Sequence, residues 1–134
     1  LTQEERPLSK VVPALVAALV CDAAVTDPAT GKNNLIGIFD RVNVRTFPSQ
    51  HPMSVYVKLT DAEGSYRIQV RYVQTGSGEE LARAEGEAAF ANRLGSLGFL
   101  ISLPSLPIPS EGRYEFQVFA DDIYLGGTFI DAVA

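Results

Sequence analysis

GRYEFQVFADDIYLGGTFIDAV, residues 112–133, decides the fold. Tyr114, Phe116, Val118 and Ala120 alternate with Glu115, Gln117 and Phe119, the period of two that a strand with one buried face requires. Asp121 and Asp122 then interrupt the run where a hairpin needs its turn. After them Ile123, Tyr124 and Leu125 restart, Gly126 and Gly127 permit a bulge or a close backbone approach, and Thr128, Phe129 and Ile130 resume the strand. A two-stranded ribbon is not stable alone, so the rest of the chain must supply what covers its apolar face. The alternation predicts that Phe116 is buried, against Ile68 or Val57.

The 134 residues, 46% of them apolar and 20% charged, fit one globular domain. Eleven glycines and eight prolines spread along the chain favour many turns between short strands over a helical bundle. A net charge of −5 argues against a nucleic-acid partner and against an anionic membrane surface, both of which select basic residues. Cys21 and His51 are the only residues of their kinds, which excludes an internal disulfide and most zinc or two-histidine iron sites. One cysteine without a bridge suits a reducing, cytoplasmic compartment. Residues 11–20, VVPALVAALV, are too short for a bilayer span of about 20 residues and read as a buried strand rather than an export signal.

Taken in order, residues 1–11 read as a flexible arm and 12–134 as the domain. Residues 13–25 are apolar on both parities, as in a strand covered on both faces. TDPATGK at 26–32 supplies a turn, and 33–47 returns as one strand in which Asp40 falls on the apolar parity, so that either a bulge shifts the register near Phe39 or the carboxylate is paired. Pro48 and Pro52 end it. SVYVKLT, DAEG and SYRIQVRYV, at 54–73, read as a hairpin. Residues 80–91 alternate Ala84, Gly86, Ala88 and Phe90 with Glu85 and Glu87, and Gly86 would cost a helix about 1 kcal/mol, so they read as strand. Leu97, Phe99, Ile101 and Leu103 mark another strand, and the three prolines of 104–112 predict a surface crossing outside any ladder. Eight short strands without a helix predict an all-β, single-domain antiparallel β-sandwich.

No chemistry-bearing motif stands out. TGK at 30–32 lacks the glycine and the following hydroxyl of a phosphate loop, and neither 76–78 nor 95–98 has the spacing of a nucleophile elbow. His51 has no nucleophile brought to it by the sequence, and Cys21 reads as a small buried side chain. Asp22 and Asp40 read as buried charges held in an ion pair with Arg41 or Lys32. If the strands run up and down in succession, the turns at 26–32, 61–64, 91–96 and 121–122 share one end. Asp27, Asp61, Glu63, Asp121 and Asp122 would then converge and could hold calcium, which takes 6 to 8 oxygen ligands.

The stretches ALVCDAAVTDPATGKNNLIGIFDRV, FPSQHPMSVYVKLTDAEGSYRIQV and LPIPSEGRYEFQVFADDIYLG resemble an uncharacterised family of bacterial β-sandwich domains. The resemblance spans about residues 12–133 and implies an immunoglobulin-like or related sandwich; it carries no catalytic residue. Three functions follow in order of expectation: a non-enzymatic protein-binding or assembly module, a small-ligand, sugar or calcium module using loops at one end, and an enzyme built on carboxylates. The doubly apolar strand at 13–25 predicts a homodimer, because an uncovered apolar face buries itself against a second copy.

Overall fold

The computed structural model describes residues 11–134, so all but Val11 of the arm read at 1–11 lies outside the described residues. Nine strands build the domain: β1 (Ala14–Thr26), β2 (Asn33–Ile38), β3 (Arg41–Asn43), β4 (Ser49–Thr60), β5 (Gly64–Gln74), β6 (Glu79–Phe90), β7 (Ser96–Ile108), β8 (Gly112–Ala120) and β9 (Ile123–Val133). They form a four-stranded sheet, β2-β1-β4-β7, and a five-stranded sheet, β3-β9-β8-β5-β6. Between them lies one core, in which Val55, Val57 and Leu59 of β4 face Tyr114, Phe116 and Val118 of β8, all fully buried. The all-β sandwich read from the sequence is therefore what the chain forms.

The hairpin at 112–133 forms as its alternation requires. Ala120 pairs with Ile123, and Asp121 and Asp122 both take positive φ, 47° and 67°, the geometry of a two-residue turn whose twist matches the flanking strands. Asp121 also continues the ladder beyond β8: its N–H donates to the Arg67 carbonyl and its Oδ1 accepts from the Arg67 N–H, both at 2.9 Å. Both uses of the glycine pair occur. The register slips between Val118 and Phe119, leaving Leu125 as the extra residue of a bulge, and Gly127 lies against the Phe116 carbonyl.

Three expectations need correction. Residues 33–47 are not one strand: the chain leaves the four-stranded sheet at Ile38, reverses at Phe39 and Asp40, and enters the other sheet as β3, which runs parallel to β9. The sandwich is thus antiparallel except at this pair, and Asp40 is exposed while its carbonyl accepts the Asp131 N–H at 2.8 Å. Asp22 is exposed as well, so neither carboxylate needs a buried ion pair. Second, 54–73 is not a hairpin, because β4 and β5 belong to different sheets. The connection arches over the end of the sandwich with Ala62 buried beneath it, and a short polar turn looks the same in sequence whether it spans neighbouring strands or stacked sheets. Third, Pro52 and the prolines of 104–108 lie within strands: Leu106, Pro107 and Ile108 pair with His51, Gln50 and Ser49. β7 is an edge strand, where a missing N–H can face away from the ladder, and Pro52 sits at the register slip between His51 and Met53. Phe116 is fully buried as its alternation predicts, in one cluster with Ile68 and Val57, and its ring also lies 5.1 Å from that of Tyr72 between centroids.

Tyrosine hydroxyls tie the layers together. Tyr114 donates to the Ser110 carbonyl at 2.5 Å and accepts from the Ser110 N–H, a tyrosine corner that closes the β7–β8 crossing. Tyr66 donates to the Val11 carbonyl at 2.7 Å and accepts from the Glu63 N–H at 3.1 Å. Tyr72 donates to Pro107 of the opposite sheet at 2.9 Å. Burial, with the nearby Tyr114 adding to it, pushes the Tyr72 phenol far above its ordinary range. A raised folded-state value means that this contribution to stability is complete below about pH 10, the unfolded tyrosine value, and is lost as pH rises beyond it. Alkaline titration should therefore show Tyr72 ionising only together with loss of the β-sheet circular dichroism signal; ionisation near pH 10 in a folded chain, read from its ring resonances, would contradict this.

Candidate interaction face

The outer faces of the two sheets differ in kind. On the five-stranded sheet the outward positions mix charged and polar side chains with the aromatic Phe119, Tyr124 and Phe129, and many are tied to one another. Arg71 lies 3.8 Å over the Phe119 ring and Arg113 lies 3.6 Å over Phe129. Arg113 also pairs with Asp131 at 2.9 Å, Arg83 with Glu80 at 2.8 Å, and Gln69 donates to Glu85 at 2.7 Å. The Arg113 guanidinium holds the Asp131 carboxyl below its usual range, and Arg83, chiefly, does the same for Glu80.

On the four-stranded sheet the register assigns the outward positions directly. Val55, Val57 and Leu59 point into the core, so Ser54, Tyr56, Lys58 and Thr60 point out, and their partners Cys21, Leu19, Ala17 and Ala14 on β1 share that face. Ile36 and Ile38 extend it on β2, and Leu100 and Gly98 on β7. Val25 opposite Asn34, and Val16 at the slip between Leu15 and Ala17, lie along β1 and are 55% and 53% exposed. Ile36 and Ile38 are each 57% exposed, which is far more than an aliphatic side chain of a covered strand shows. Lys58 carries the one charge among these positions. Tyr56 lies across Gly98, where an added Cβ would stand 2.7 Å from its hydroxyl. The reason that β1 is apolar on both parities is now concrete. One parity fills the core and the other forms this face.

The carboxylates expected to hold calcium do not converge. The turns carrying Asp61, Glu63, Asp121 and Asp122 do share an end, but Asp27 stands at the other, because β1 runs antiparallel to β4 and Ala14, not Thr26, pairs with Thr60. The unforeseen reversal at Phe39 and Asp40 adds one change of direction and inverts every later turn relative to 26–32. Three of the four acids at the shared end have other partners: Asp61 pairs with Arg93 at 2.7 Å, Asp122 pairs with Arg67, and Asp121 caps the Arg67 backbone. Asp27 accepts the Ala29 N–H within its own turn at 2.9 Å. Among the described residues, no three His, Cys, Asp or Glu side chains are grouped as a metal site needs.

Cys21 lies on the outward parity yet is wholly inaccessible, and burial pushes its thiol up, away from the reactive thiolate. His51 is in β4 rather than in a loop and meets the edge of Phe39 at 6.4 Å between ring centroids. Sequence reasoning pointed to β1 but missed Tyr56, Leu100, Ile36 and Ile38 as its companions. Their outward alignment depends on strand order, which the periodicity of single strands does not encode.

A two-sheet β-sandwich with a tyrosine corner and one apolar outer face is the class of domain that these observations define. Over residues 16–131 the chain matches a family of unknown function, DUF6941, and it belongs to that family. Among solved structures it is similar to an immunoglobulin-like protein from Pseudomonas aeruginosa, with 11% identity and a TM-score of 0.39 over 90% of this chain and 95% of that one. No curated protein matches it.

Proposed function

We propose that the domain is a non-enzymatic assembly module that pairs with a second copy of itself through the outer face of the four-stranded sheet. The observation that carries this reading is the alignment of Leu19, Ile36, Ile38, Tyr56 and Leu100 on one sheet face with Lys58 as the one charge among its outward positions. Four strands at about 4.8 Å and some nine residues at about 3.3 Å give a footprint on the order of 570 Å², at the upper end of the largest patch on a typical monomer, which is often functional. That is below the roughly 800 Å² that each partner contributes to a standard interface, so the dimer is weak and concentration-dependent. A second copy fits because the face is self-complementary in the way a two-fold contact requires, apolar against apolar with no acid to oppose acid. The repulsion between two chains of net charge −5 then acts from outside the contact, and added salt strengthens the dimer by screening it.

Light scattering over a dilution series in low and high salt tests this. Wild type should pass from monomer towards dimer as concentration rises, and further at high salt. Leu19→Lys should remain monomeric at concentrations where wild type associates. Leu19 stands outside the packed core, so this variant keeps its fold. A wild type that stays monomeric at millimolar concentration, or a Leu19→Lys protein that dimerises equally, would overturn the reading.

A further inference from the structure

A second surface, independent of the apolar face, lies where the two sheets part. β6 ends the five-stranded sheet and β7 ends the four-stranded one, and the two edges are not hydrogen-bonded to each other. Between them runs a cleft of about 340 Å³, lined on one side by Ile68, Val70, Ala84 and Gly86 and on the other by Phe99 and Ile101. It exists because the inner parity of β6, before Phe90, carries small side chains, Ala82, Ala84, Gly86 and Ala88, opposite Tyr72, Val70, Ile68 and Tyr66 of β5. Gly86 is on the core side of its sheet and yet exposed, so the cleft opens to solvent.

The two edges differ. Pro104 and Pro107 remove ladder donors from the upper half of β7, whereas β6 runs twelve residues without a proline. An exposed edge of that length is a template for strand addition unless charges on its inner side forbid it, and here every charge of β6 lies on the outer parity or at its first turn. We infer that β6 receives an extended segment of a partner protein, which hydrogen-bonds to the edge and places every second, apolar side chain in the cleft over Gly86. The outward side chains of that segment would be basic, since β6 carries Glu79, Glu80, Glu85 and Glu87 against Arg83 alone. A second copy of β6 fits poorly: the inner side chains of its middle, Ala84, Gly86 and Ala88, are too small to fill the cleft, and its glutamates would face glutamates.

The probe is a synthetic eight-residue peptide of alternating valine and lysine, against a peptide of the same composition with the alternation broken. In titrations followed by amide resonances, the alternating peptide should shift β6 and the Phe99 and Ile101 side chains, and the scrambled one should bind at least ten-fold more weakly. Gly86→Val should weaken binding ten-fold or more, because a Cβ at Gly86 meets nothing within 4 Å and its branches would fill the cleft from within. Ala84→Leu, opposite Val70, gives the same test should the first variant fold poorly. Glu87→Lys should weaken the peptide several-fold at low salt and leave the fold intact. Equal binding by the two peptides, binding indifferent to both cleft-filling variants, or no binding at millimolar peptide would each overturn the inference.

Discussion

Phe116→Ala should cost about 3 to 5 kcal/mol, a large fraction of the stability of a domain this size. Phe116 is at 0% exposure in the central strand of the five-stranded sheet, and its ring lies 5.1 Å from that of Tyr72, which in turn stacks on Tyr114 at 5.5 Å. Truncation removes the transfer energy of the ring and leaves a cavity that a stacked aromatic row collapses into poorly. It also unseats Tyr72, whose hydroxyl holds Pro107 across the sandwich. Chemical denaturation should show the loss as a lower midpoint with an unchanged slope. A cost under ~1 kcal/mol would mean that the ring does not face the core.

Gly127→Ala should be comparably damaging, for a different reason. A Cβ at Gly127 would stand 2.2 Å from the Phe116 carbonyl oxygen and 3.2 Å from its carbon, and these are backbone atoms of the paired strand, which cannot rotate away. Relief requires opening the β8–β9 ladder beside the bulge, with a cost of at least about 2 kcal/mol by comparison with overpacked cores. Gly86→Ala is the matched control: its Cβ meets open space at an ordinary backbone angle, so it should be neutral or stabilise by roughly 0.4–1 kcal/mol through the unfolded chain. Equal effects of the two substitutions in thermal melts would contradict the close approach at Gly127.

How much of this was legible in the sequence can be seen strand by strand. The alternation of 114–120 and 66–72 gave the correct buried parity for both, and Gly126-Gly127 announced both the bulge and the contact that forms there. Periodicity reports which side chains share a face of one strand; it is silent on which sheet that strand joins. The arch at 61–63 therefore passed for a hairpin, and the reversal at Phe39 and Asp40 for a bulge or a paired carboxylate, since both are short interruptions of apolar alternation. The prolines of β7 misled because their exclusion from ladders is relaxed at an edge, and edge position is a property of strand order. The misplaced reversal then carried Asp27 to the wrong end, while at the other end Asp61, Asp121 and Asp122 are taken up by Arg93 and Arg67. The apolar face was half legible: the double apolarity of 13–25 required a second covered surface, whereas Tyr56, Ile36, Ile38 and Leu100 join it only once β1, β2, β4 and β7 lie side by side.

The most direct test of the central claim, that the four-stranded sheet is the contact between copies, is a dilution series of the wild-type chain followed by its backbone amide and methyl resonances. The account predicts concentration-dependent shifts at Leu19, Ile36, Ile38, Tyr56 and Leu100, and none at Arg71, Gln117 or Phe129 on the opposite sheet. Shifts centred on the opposite sheet, or none anywhere up to millimolar protein, would contradict it.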